Sequence, residues 1–306
     1  MGIFEHLTPV DKNLVYKRND PNDPRLGDVM HQQAYEDAGV VLLGCPQDMG
    51  VERNKGRVGA KDAPTAIRRA FYRLVALPGM AIFDAGDTMI QQTLEETHDL
   101  HRSIVRQMLR DGKRVVVMGG GNDTSYPDCS ALSLESKQLL AFNVDAHFDV
   151  RADDQRNSGT PYRQLLEDRY VIPENFYEIA YQPFANSPVY IEYLNEMGVT
   201  TYSLHDVHER GINTLFQAII EAHHSVDAIF WGLDMDVVRA ADAPGVSAVN
   251  PTGLTGEEFV QIASLAGSDS RSRVFEITEV NPTYDIDERT CRLAAVTIYH
   301  FILGIK

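Results

Sequence analysis

Leu139-Leu-Ala-Phe-Asn-Val-Asp-Ala-His-Phe-Asp-Val-Arg151 begins as an apolar run and empties into acid. Up to Val144 the run has strand length and shows no alternation of apolar and polar residues. It therefore reads as a strand covered on both faces, as in a parallel sheet. Asp145, His147 and Asp149 follow at i, i+2 and i+4. Alternate residues of an extended backbone face the same way, so this spacing predicts three side chains converging on one point. Carboxylates with one imidazole suit Mn²⁺, Fe²⁺, Ni²⁺ or Zn²⁺, and the absence of thiolate argues against a structural zinc site.

The same pattern recurs outward from this stretch. Asp227 to Leu233 reads as a second strand and delivers Asp234-Met235-Asp236. Val40 to Leu43 ends at Gly44-Cys45-Pro46, and Val115 to Met118 ends at Gly119-Gly120-Gly121. Phe176 to Ala180 and Val274 to Val280 are further candidate strands, the second carrying Glu279 at its end. Between them lie helical patterns: Leu100, Ile104 and Met108, halted at Asp111-Gly112, and Ile212, Leu215, Phe216, Ile219 and Ile220. Asp62 stands where it could cap a helix beginning near Pro64. Residues 48 to 62 read as a glycine-punctuated loop. Strand, glycine turn and helix in alternation predict an α/β fold with a mostly parallel sheet and its site at the carboxyl ends of the strands. One domain over residues 1–306 is the economical organisation, with an irregular leader over about residues 1–36.

The four carboxylates gathered with one histidine directly after buried strands repel each other unless cations lie between them. A pair of divalent metals sharing a carboxylate would relieve this and turn a shared water into hydroxide near neutral pH. Glu279 is placed to hold a cationic substrate group through paired hydrogen bonds.

Composition narrows the function classes. With a formal net charge of -16 and no basic tract, the chain is unsuited to nucleic acid. A 43% hydrophobic, 24% charged chain is globular, and no apolar run reaches membrane-spanning length. The start MGIFEHLTPVDKN lacks the pattern of a signal peptide, and His6 stands where a myristoylation signal needs Ser or Thr. Cys45, Cys129 and Cys291 are too few for a disulfide framework, which points to a cytoplasmic protein with buried thiols. GxGxxG, a phosphate loop, G-x-S-x-G and HExxH are all missing. His223 and His224, at a helix end, read as cap or surface residues.

Taken together, Gly119-Gly120-Gly121-Asn122, Asp145 to Arg151, Ser158-Gly-Thr-Pro161, Asp234-Met-Asp236 with Ala243-Pro-Gly-Val-Ser247, and Glu279-Val-Asn-Pro282 resemble the ureohydrolases. This is the family of arginase, agmatinase and formimidoylglutamase, and the resemblance spans roughly residues 40 to 300. It implies a three-layer α/β/α fold, trimers or hexamers, and two Mn²⁺ per subunit for hydrolysis of a C–N bond in a small amidine. Carried over, Asp145 and Asp234 would bridge the metals. Asn122 and Asp149 would complete one site, and His147 and Asp236 the other. Asp149 would also orient the bridging hydroxide, and Glu279 would bind the amidine. Asn122 stands where the family usually has histidine, and the neighbouring Asp123 could compensate. Ser158 stands where arginases and agmatinases have another histidine, which resembles the formimidoylglutamase branch.

That branch implies N-formimidoyl-L-glutamate as substrate, with Arg151 facing a carboxylate and Asn157, Ser158 and Thr160 adding hydrogen bonds. The alternatives are a hydrolase of another guanidino compound, such as guanidinobutyrate, guanidine or agmatine, and a metal-poor noncatalytic homologue serving as a structural or regulatory subunit.

Overall fold

A computed structural model describes every residue except Met1, His31, Gln32, Leu77, Pro78, Met80 and Lys306. Nine strands, β1 (Leu7–Thr8), β2 (Val40–Gly44), β3 (Ile82–Thr88), β4 (Arg114–Met118), β5 (Leu139–Val144), β6 (Phe176–Tyr181), β7 (Thr200–Ser203), β8 (Ala228–Asp234) and β9 (Ser272–Thr278), form one sheet. Their order is β1-β3-β2-β4-β9-β8-β5-β6-β7. Every strand pair is parallel except β1 with β3.

The apolar runs are continuous because both faces of the sheet are covered. In β2, Val40 and Leu42 enter one core cluster and Val41 and Leu43 the other; in β4, Val116 and Met118 part from Val115 and Val117 in the same way. Helices Ala63–Phe71, Ile212–Ala222, Gly256–Ser268 and Arg289–Gly304 pack on the first face. Helices Leu94–Arg110, Ser125–Leu134, Pro161–Glu167 and Pro188–Met197 pack on the second. The result is three layers, α/β/α. Trp231 on β8 is fully buried, stacks on Phe142 at 4.5 Å between centroids, and donates its indole N–H to Ser272 Oγ at 2.9 Å. Burying such a side chain contributes about 1.5–3 kcal/mol, and the hydrogen bond removes the penalty of an unpaired N–H.

Within the leader, Leu7–Thr8 joins the sheet edge and Leu26 is completely buried. Two local expectations are corrected. Residues 48 to 62 contain a short helix, Met49–Arg53. Asp62 stands at the helix start before Pro64, but its side chain makes no capping hydrogen bond. Strand β3 gave no apolar signal because it reads Ile-Phe-Asp-Ala-Gly-Asp-Thr. Its acids are tolerated because the buried Arg68 meets Asp84 at 2.9 Å and Asp87 at 2.5 Å.

Strands β4, β9, β8 and β5 are neighbours at the centre of the sheet. The chain leaves β4 and returns at β5, beyond the intervening β9 and β8, so a crevice opens at their carboxyl ends. Asn122, Glu279, Asp234 with Asp236, and Asp145 to Asp149 all follow these four strands.

Candidate metal centre

The turn after β5 sets the site. Asp145 Oδ1 accepts the backbone N–H of His147 at 2.8 Å, and after β8 Asp234 Oδ1 accepts that of Asp236 at 2.8 Å. Residues 145–147 form a bend and Met235–Val237 a 3-10 turn. Side chains at i and i+2 therefore converge through aspartate-closed turns, and the extended backbone expected from the spacing is absent. Asp149 and Glu279 have φ of 49° and 59°, a left-handed conformation that is strained for residues with a Cβ. In the glycine run, Gly120 is indispensable because a Cβ there would collide with the Gln47 carbonyl.

Two ligand sets result, Asp145 with Asp149 and Asp234, and Asp145 with His147 and Asp236. Within each, one donor atom per residue lies within 4.8 Å of the others. Asp145 belongs to both. His147 Nδ1 lies 3.4 Å from Asp145 Oδ1 and 3.3 Å from Asp236 Oδ1. Two like charges about 4 Å apart repel by about 4 kcal/mol at an effective dielectric constant near 20, so this many carboxylates need cations or protons between them.

The acid strengths express that demand. Burial raises Asp145, and Asp149 and Asp236 add to it; burial raises Asp234, and Asp236 and Asp145 add to it. Burial, helped by Asp236, pushes Asp149 up to about 6 against the pull of His147, Asn122 and Arg151. For His147 burial opposes the charged ring, yet Asp236 and Asp145 outweigh it and push it up to about 12. Glu279 Oε2 is buried without a hydrogen-bond partner, and Asp236 Oδ1 has only the His147 ring at 3.3 Å. An all-oxygen and imidazole donor set with orphaned oxygens fits a pair of hard divalent cations.

These groups open into a cavity of about 200 Å³ that Asp149, Arg151, Ser158, Asp234, Asp236 and Glu279 help to line. Glu279 Oε1 accepts the Asn122 backbone N–H at 2.6 Å, which leaves Oε2 free. Arg151 is exposed at this cavity and, among the described residues, makes no side-chain hydrogen bond or ion pair. Ser158 Oγ accepts from Asn54 Nδ2 at 3.0 Å.

Other expected site residues stand differently. Asn157 and Thr160 are not in the cavity lining. Thr160 Oγ1 is bonded to the Asn157 backbone at 3.0 Å, and Asn157 Oδ1 accepts from Gly159 N at 2.9 Å, so both build the turn that presents Ser158. Asn122 turns its amide nitrogen to the carboxylates, 2.6 Å from Asp149 Oδ2 and 3.3 Å from Asp145 Oδ2, with its oxygen on the opposite side. Asp123 does not compensate: it faces away, onto Gln47 at 2.6 Å and His98 at 2.7 Å. All three cysteines are buried and unpaired, and Cys45 is not in the cavity lining.

The structure also adds residues that the sequence reading missed. Asn54, Asn186, Tyr190 and Ser247 line the cavity. Asn186 Oδ1 accepts from Phe148 N at 2.9 Å and its Nδ2 donates to Ala146 O at 2.8 Å, which braces the bend between the ligands. Arg57 stacks on Tyr284 at 4.2 Å and reaches Ser247 O at 3.3 Å, fixing the opposite wall. Ser247 closes the Ala243–Ser247 motif, but Asn54, Asn186 and Tyr190 sit in no run with chemical spacing, so only the folded chain reveals them.

A sequence profile described as the arginase family matches residues 38–304. The chain belongs to the arginase family. A formimidoylglutamase of Ralstonia nicotianae is 30% identical over 97% of both chains, and one of Paraburkholderia xenovorans is 32% identical over 86% of this chain and 87% of its own. Among solved structures, formiminoglutamase of Trypanosoma cruzi with two Mn²⁺ superposes with a TM-score of 0.87, at 33% identity over 92% of this chain and 98% of that one. Formimidoylglutamase of Bacillus subtilis does so with a TM-score of 0.87, at 25% identity over 94% of each. As a member of the arginase family the chain has the expected arginase-like three-layer architecture. No helix among its described residues is long and apolar enough to cross a membrane.

Proposed function

We propose that this arginase-family protein is a manganese-dependent hydrolase of N-formimidoyl-L-glutamate, yielding L-glutamate and formamide. The observation that carries the reading is the pair of ligand sets sharing Asp145, facing the same cavity as the free Oε2 of Glu279. The formimidoylglutamase relatives support the substrate, and the Trypanosoma protein with its two Mn²⁺ supports the metal.

Asp145, Asp149 and Asp234 would hold one ion, and Asp145, His147 and Asp236 the other. Two Mn²⁺ ions, when bound, supply Lewis acidity and bring a water held between them toward hydroxide near neutral pH. Glu279 holds the positive amidine through a charge-assisted hydrogen bond and so fixes the trigonal carbon above the acidic cluster. Water oxygen bonds to that carbon and the C–N bond to the glutamate nitrogen breaks. Asp149 takes the proton of the attacking water and returns it to the departing nitrogen. Arg151 pairs with a substrate carboxylate, and its planar fork suits one bidentately. The same cation disfavours agmatine, which has no carboxylate and carries positive charge.

The reading extends to a single domain over residues 1–306, assembled as a cytoplasmic homo-oligomer, trimer or hexamer, and acting on a small molecule. The test is to load the purified protein with Mn²⁺, count bound ions, and assay formamide release from N-formimidoyl-L-glutamate beside agmatine and guanidinobutyrate. Two ions and turnover of the formimidoyl substrate alone are expected. Turnover of a guanidino compound instead would move the substrate, and one ion or none with no turnover would overturn the reading.

A further inference from the structure

Beyond the end of β9 the chain makes a short antiparallel pairing with residues 245–247. Val246 bridges Val280, Ser247 N donates to the Glu279 carbonyl at 3.2 Å, and Asn281 N donates to the Gly245 carbonyl at 2.7 Å. Val246 and Val280 are fully buried in one core cluster. Ser247 and Glu279, opposite each other one residue along, both line the cavity. The Ser247 backbone is fixed on both sides, since its carbonyl accepts from Arg57 Nε at 3.3 Å. Its hydroxyl is not committed: among the described residues Ser247 Oγ is buried without a hydrogen-bond partner, as is Glu279 Oε2. Burial raises Glu279 well above its ordinary range, and the Ser247 hydroxyl opposes the rise from beside it. Two uncommitted oxygens therefore stand at one place on the cavity wall, one on a carboxylate and one neutral. Buried polar atoms are rarely left unpaired, so such a pair marks a place for a donor.

We propose that Ser247 is a further substrate-binding residue for the amidine head, its Oγ accepting one amidinium N–H while Glu279 Oε2 takes another. The proposal rests on the reading that this cavity takes an amidine. An amidinium carries hydrogen-bond donors on both nitrogens and no acceptor, so one carboxylate oxygen leaves donors unpaired. A serine hydroxyl has lone pairs for one of them and can turn its own hydrogen toward Glu279. Being neutral, it adds nothing to the charge that already crowds the four aspartates of the ligand sets. Two contacts in place of one stop the planar head from rotating about its bond to Glu279. The trigonal carbon is then held in one attitude toward the ligand sets.

The experiment titrates the Mn²⁺-loaded protein by calorimetry with formamidinium, the amidine head without the glutamate. Wild type, S247A, S247G and S247T are compared, and bound Mn²⁺ is counted on each sample. S247A is expected to bind formamidinium about tenfold more weakly, with the ion count unchanged. S247T keeps the hydroxyl and should bind more tightly than S247A. If S247A does not fold, S247G removes the same hydroxyl and is read in the same way. Failure of both to fold would assign the serine a structural role and overturn the proposal. Binding by S247A equal to wild type overturns it too. So does weaker binding that comes with loss of Mn²⁺, because the serine would then only support the wall. A wild type that holds Mn²⁺ and binds no formamidinium overturns the proposal together with the amidine reading. Formamidinium binding that depends on Ser247, in a protein that does not turn over N-formimidoyl-L-glutamate, would move the substrate to another amidine and leave this inference standing.

Discussion

Asp145 Oδ1 accepts the backbone N–H of His147 at 2.8 Å, so the residue shared by both ligand sets also closes the turn that aims the next ligand. The two roles separate by substitution. Asp145→Asn keeps an acceptor oxygen for the turn but removes a charge that burial and Asp149 both disfavour. Metal-free D145N is expected to melt no lower than the metal-free wild type, while Mn²⁺ affinity falls by at least about 100-fold. D145A should lose both. Calorimetric melting alongside metal titration checks this, and a D145N protein that melts well below wild type would show that the charge is needed for folding.

Glu279 is strained, buried and half-satisfied, with Oε1 on Asn122 N and Oε2 buried without a hydrogen-bond partner at the cavity wall. Glu279→Gln keeps the shape and removes the charge that would meet an amidine. The expected loss in kcat/KM is about 100-fold, or near 3 kcal/mol, with the count of bound Mn²⁺ unchanged. Steady-state kinetics with metal analysis on the same sample would reveal it.

Arg151 faces the cavity without a protein partner among the described residues. Arg151→Ala should raise KM for N-formimidoyl-L-glutamate by about tenfold or more, and Arg151→Lys should restore only part of it because a point charge lacks the fork. An N-formimidoyl alkylamine without carboxylates serves as the control. If R151A slows that compound equally, the arginine does something other than read the carboxylate.

The metal-free site should oppose stability as pH rises. Burial and Asp236 push Asp149 from 3.8 up to about 6 in the fold. A raised acid contributes stability that is fully present below about 3.8 and is lost as pH climbs through about 6. Asp145 and Asp234 are shifted in the same direction and extend the loss upward. Melting temperature of the metal-free protein is therefore expected to fall between pH 5 and pH 8. Saturating Mn²⁺ should abolish the fall, with protons released on binding. A metal-free protein that is more stable at pH 8 would contradict the geometry of the cluster.

How much could be read in advance follows from where the physics is local. Val115 to Met118, Leu139 to Val144 and Asp227 to Leu233 were legible as buried strands because both sheet faces are covered, and the acids after the last two were legible as a candidate site because they stand directly at the strand ends. Strand β3 was not, since its Asp84 and Asp87 are stabilised by Arg68 from a different element. Nor were Asn54, Asn186 and Tyr190, which reach the cavity only after distant loops come together.

The sequence by itself determined the layered α/β architecture and pointed to the five groups of the candidate metal centre, because apolar runs and ligand spacing are properties of neighbouring residues. The tertiary structure alone decided that Asn54, Asn186 and Tyr190 line the cavity and that Asn157 and Thr160 do not. That depends on which separate segments meet across the fold, and contacts between distant residues leave no period in the chain.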